Sequence, residues 1–96
     1  MSKDKEQVVN VGSGEGFKVR IFDLNTCLTE YEHIKIVRIV SKDYNLLIME
    51  DYLPIIGEID GSIDIKGDDI DLSFPKVSAF YMNSSNVFNL MIKEVE

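Results

Sequence analysis

Residues 43–66 read DYNLLIMEDYLPIIGEIDGSIDIK, and this stretch decides the fold class. Leu46, Leu47, Ile48 and Met49 form an apolar run too short for an ordinary helix, bounded by turn-prone Asn45 and by Glu50-Asp51, which predicts a buried strand. Pro54 has no ladder donor and belongs at a strand start or an edge. Beyond it, Ile59, Ile63 and Ile65 share one parity with Gly61 between them, so a single sheet face buries all three. Asp60-Gly61 is expected to bend or bulge the run.

The same two-residue period extends outward on both sides. Phe17, Val19 and Ile21 alternate with Lys18 and Arg20, a half-buried strand, and Asp23-Leu24-Asn25 turns the chain. Cys27, Thr29 and Tyr31 share one side of the next segment, and IKIVRIV at residues 34–40 is β-branched almost throughout. Its apolar parity slips between Ile36 and Val37, where a bulge is expected. On the carboxyl side KGDD makes a turn, Ile70, Leu72 and Phe74 alternate with polar partners, and Pro75 is expected to break that strand. After VSAFYM, the NSSN cluster at residues 83–86 turns the chain into VFNLMIKEV, whose apolar spacing fits a helix or a strand equally. Short strands at this spacing predict an all-β fold, a small two-sheet sandwich of about eight to ten strands. Val19, Ile21, Ile36, Ile48, Ile63, Ile65, Leu72 and Leu90 are its expected core.

Composition narrows the functional classes. Ninety-six residues are enough for one domain with a real core, and 45% hydrophobic against 28% charged residues is ordinary globular material. Residues 1–16, MSKDKEQVVNVGSGEG, read as a flexible arm, and residues 17–96 as the domain. The start shows no apolar signal segment, so a cytoplasmic location is the default. A net charge of −7 disfavours a nucleic-acid backbone as partner, and isolated lysines and arginines do not make a basic patch for anionic lipid. No direct membrane insertion is expected, because the apolar runs fall far short of a span.

No catalytic constellation is legible, so the chain is expected not to be an enzyme. Cys27 stands alone with His33 six residues away, out of reach along a strand, and reads as a small buried hydrophobe. His33 reads as a surface or strand-edge residue. GSGEG lacks the Lys-Ser/Thr ending of a phosphate loop and leads into a strand, not a helix, so no nucleotide cofactor is expected. Asp60, Asp64, Asp68, Asp69 and Asp71 are interrupted by Ile63, Ile65 and Ile70 and lack the spacing of a calcium loop, so no metal site is expected.

From Phe17 onward the order of elements resembles the N-terminal β-sandwich domain of the F-type ATP synthase epsilon subunit. The likeness is best over LLIMEDYLPII, where Leu46, Ile48, Pro54, Ile55 and Ile56 stand at the apolar and proline positions of the family's G-x-L-G-I-x-P-G-H-A-P-L motif. Asp51-Tyr52 replaces that motif's Gly-His, and Tyr44 and Leu47 replace its earlier glycines. VSAFYMNSSNVFNLMI resembles the family's closing hairpin through Asn86 and Val87, with Val77-Ser78 in place of a glycine pair. The resemblance implies a non-catalytic rotor-stalk role, docking on the gamma subunit and on the polar loops of the c-ring. The alternative is a stand-alone sandwich that serves as an interaction module for an unrelated partner. In either case Glu50, Asp51, Tyr52, Leu53 and Pro54 are the candidate protein-binding residues, because a turn that carries an aromatic, a leucine and a proline beside acids has the make-up of an anchor in a polar rim.

Overall fold

Alternation along the chain resolves into six strands in a computed structural model that describes residues 15–95. They are β1 (Phe17–Asp23), β2 (Cys27–Ser41), β3 (Asn45–Ile48), β4 (Ile55–Gly67), β5 (Asp71–Ser84) and β6 (Val87–Val95). There is no helix among the described residues. Around the sheet the order is β1-β6-β5-β4-β2-β3, and β1 also pairs with β2. Five strands therefore close into a barrel, with β3 attached beside the carboxyl-terminal half of β2. All pairs are antiparallel except β1 with β6, where the first strand closes the barrel against the last.

The all-β class agrees with the alternating pattern, but two sheets of eight to ten short strands become one closed barrel and a sixth strand. The difference has a local cause. Long strands run straight through residues that usually interrupt one. Gly61 pairs with Val77 while Ile63 pairs with Phe74, so the extra residue sits on β5 around Pro75 and forms a bulge. A proline lacks the ladder donor that a bulge does not use, so Pro75 bends β5 without ending it. Opposite it, Asp60-Gly61 lies inside β4, and a Cβ at Gly61 would run into the Val40 carbonyl oxygen. Glycine is what lets β2 cross β4 this closely.

In β2 the expected bulge falls earlier than the apolar pattern places it. His33 has φ 60°, and the register shifts between Phe17/Val19 on the β1 side and between Ile34/Ile36 on the β4 side. Ile34 and Val37 are buried as a result, and Ile36 is not part of the core. Leu72 packs against the core half-buried. Val19, Ile21, Ile48, Ile63, Ile65 and Leu90 are buried as expected, joined by Ile39, Ile59, Ala79, Tyr81 and Phe88. β6 is a strand: Phe88 and Leu90 are buried and Ile92 packs on the core, a two-residue period that faces the barrel interior.

With Cα extents of 49 × 28 × 18 Å the barrel is flattened, and its long strands pass from one wall to the other at the bulges. The first wall holds β3, residues 36–41 of β2, residues 61–66 of β4 and residues 71–74 of β5. The second holds residues 28–31 of β2, β1, β6, residues 77–84 of β5 and residues 55–61 of β4.

Candidate protein-docking site

Buried Ile48 ends β3, and the chain turns at once. The Tyr52 amide donates to the Met49 carbonyl at 3.2 Å, and Asp51 at the third position has φ 65°. That is the geometry of a type II turn, in which Asp is one of the few side chains that tolerate a left-handed backbone.

A second turn holds the first in place. Ser85 and Asn86 have φ 51° and 61°, the paired positive values of a type I′ hairpin turn between β5 and β6. Asn86 thereby faces Asp51 across 35 residues of sequence. The Asp51 amide donates to Asn86 Oδ1 at 2.7 Å, and Asn86 Nδ2 donates to Asp51 Oδ1 at 2.9 Å. On one side of this clasp the Gly16 amide donates to Glu50 Oε1 at 3.2 Å. On the other, Asn83 donates from Nδ2 to the Leu53 carbonyl at 3.3 Å. Asn83 is only 2% exposed, a buried polar side chain, so this bond fixes the loop from inside the barrel.

The five candidate residues take three different positions. Glu50 and Asp51 are held by bonds that shape the loop. Tyr52 is half-buried and packs against the core. Leu53 is 74% exposed and Pro54 is exposed beside it, on a backbone clasped on both sides. Tyr52 therefore caps the barrel end, while Leu53 and Pro54 are presented outward. Asn83 and Asn86, which do the holding, were legible in the sequence as a turn cluster but not as partners of Asp51 and Leu53.

Behind the loop lies a second polar feature. Tyr44 Oη donates to the Glu58 carbonyl at 2.6 Å and lies 3.0 Å from Tyr81 Oη, which leaves Tyr81 as donor between the two hydroxyls. Burial pushes the Tyr81 phenol above its ordinary pKa, and the Tyr44 contact adds to the shift. A Cβ at Gly57 would come within 2.5 Å of Tyr81 Oη, so glycine makes room for the ring.

The remaining chemistry-bearing residues are dispersed. Cys27 is exposed, contrary to the expected burial, because it closes the β1–β2 turn with φ 63° and points out of the barrel end. His33 is exposed at the bulge, its Nδ1 3.1 Å from the Glu15 carbonyl. Asp64 accepts from Ser73 at 2.6 Å, and Asp68 lies 4.0 Å from Lys35. No three of His, Cys, Asp and Glu among the described residues gather as a metal site would require. Of the arm expected over residues 1–16, Glu15 and Gly16 are described, and the GSGEG tract otherwise lies outside the described residues.

No family model matches this chain, and no curated protein matches it. Among solved structures, the fold is similar to a chain in the cryo-EM structure of the Tetrahymena thermophila mitochondrial ATP synthase central stalk and c-ring, with a TM-score of 0.67. The superposition covers 82% of this chain and 64% of that one, at 8% sequence identity. At that identity the likeness is one of fold alone, and this chain matches less than two thirds of that chain's length.

Proposed function

We propose that this chain is a non-catalytic protein-interaction domain of a rotary ATP synthase, an epsilon-like component that docks on the gamma subunit and on the c-ring. Two lines of support are independent of each other. The motif resemblance rests on residues 44–56 and 77–92, whereas the fold likeness rests on backbone geometry at 8% identity, where few side chains are shared. The observation that carries the reading is the clasped loop. Asp51, Asn83 and Asn86 spend their hydrogen bonds on holding an exposed Leu53-Pro54 pair rigid, and a pre-ordered anchor loses little freedom on binding.

A non-catalytic role also accords with the placement of Cys27 and His33, which sit at the two ends of a seven-residue stretch of β2, roughly 20 Å apart along a strand. The test is affinity capture of the tagged chain from its own cells after gentle detergent extraction. The expected result is co-purification of gamma and c subunits. Recovery of the chain with other proteins and without rotor subunits contradicts the proposal.

A further inference from the structure

The second wall carries a feature that neither the loop nor the rotor reading uses. Reading outward positions across the paired strands, Leu28 lies opposite Phe22, Phe22 beside Met91, and Met91 opposite Phe80. One step along the strands, Met82 lies opposite Ile56. These six side chains form one apolar stripe across β2, β1, β6, β5 and β4. Five of them are 38–45% exposed, and Ile56 is 74% exposed. Scattered apolar residues on a surface mean little, but a contiguous stripe with a polar rim marks a contact surface.

The rim shows what fits there. Arg20 bridges Glu30 at 3.0 Å and stands 5.5 Å from the centroid of the Phe22 ring. At the other flank, Lys93 bridges Glu58 at 2.6 Å and stands 4.3 Å from the centroid of the Phe80 ring. With Lys18, Asp60 and Glu94, the outward positions of this wall hold three cations and four carboxylates, so nearly all of the net charge of −7 lies elsewhere on the chain.

We propose that this face pairs with the same face of a second copy of the chain. A two-fold contact presents one patch to itself, so the patch must not repel itself. A surface that carried the chain's acidic excess would; the second wall, one charge from neutral, does not. Each flank carries a cation already paired with a carboxylate, so neither flank repels its counterpart in a copy turned about a two-fold. Covering the aromatic rings also desolvates the cations above them, which strengthens those contacts. Five strands at about 4.8 Å spacing make the stripe roughly 20 Å wide, at the small end of specific interfaces, so the dimer is a concentration-dependent one.

Sedimentation velocity over a concentration series tests this on the whole chain. The wild type is expected to pass from monomer to dimer with a micromolar midpoint. Met91→Glu at the centre of the stripe and Ile56→Glu at its far end should each weaken the dimer by about tenfold or more. Both side chains point outward, and an unchanged melting temperature verifies that the variants are folded. Leu47→Glu, outward on the first wall, should leave the dimer intact. A wild type that stays monomeric at its highest soluble concentration overturns the proposal. So does a dimer that survives both stripe variants, or one that only Leu47→Glu removes.

Discussion

The two walls of the barrel are made from halves of the same strands, yet their outer faces differ. On the first wall, outward positions hold Arg38, Asp64, Lys66, Asp71 and Ser73 beside Val40 and Leu47, a mostly polar surface tied together by contacts such as Ser73 to Asp64. On the second, the continuations of β4 and β5 carry Ile56, Met82 and Phe80 outward. The inner faces do not differ in this way: Ile63 and Ile65 on one wall and Ile59 and Ala79 on the other are all fully buried. Folding dictates the inward residue at every second position and leaves the outward one open. A change of outer character along one strand therefore belongs to what the surface meets, not to what the core needs.

The largest expected effect probes whether the walls share one core. Ile65→Ala on the first wall and Ile59→Ala on the second should each cost roughly 2–5 kcal/mol in denaturant melts, because each leaves a cavity in a packed interior. A loss under about half a kcal/mol at either site would mean that its wall is not packed against the other.

Asn86→Gly sharpens the contrast between clasped loop and open face. Glycine keeps the left-handed backbone of the hairpin turn but removes both bonds to Asp51, so stability should fall by about 1–2 kcal/mol with β5–β6 pairing preserved. An unchanged denaturation midpoint would show that the clasp does not hold the loop.

A smaller effect concerns pH. The Tyr81 phenol is pushed up in the folded chain, so its contribution is whole below its unfolded pKa of about 10 and is lost as pH rises above that value. Melts from about pH 8 to about pH 11 should show stability falling in base, less steeply in Tyr81→Phe. Equal slopes in the two proteins would remove Tyr81 from the account.

Local pattern carried the strand content and most of the core, since Phe17, Val19 and Ile21 or Ile59, Ile63 and Ile65 need only their own alternation to be read. Continuity was illegible for a physical reason. Asp60-Gly61 carries the signal of a bend and Pro75 that of a strand end, and only the partner strand shows that Gly61 and Pro75 form opposite sides of one bulge. The slip in β2 was legible as a change of parity, but its place depended on His33 adopting φ 60°, so Ile34 replaced Ile36 in the core. At the loop, Leu53 could be read as an apolar residue among acids. The clasp could not, because Asp51 and Asn86 meet only through the closing of β5 and β6. Cys27 misled through its residue type: small thiols are usually buried, and this one sits on a turn.

The central claim is that the clasped loop is an anchor for a rotor partner. The direct test measures binding of purified chain to isolated gamma subunit and c-ring, wild type against Leu53→Ser, together with the melting temperature of each. The account predicts that Leu53→Ser weakens binding at least about tenfold while the melting temperature stays within a degree or two, as a side chain 74% exposed requires. Full binding by a folded Leu53→Ser chain, or no binding by the wild type, would contradict it.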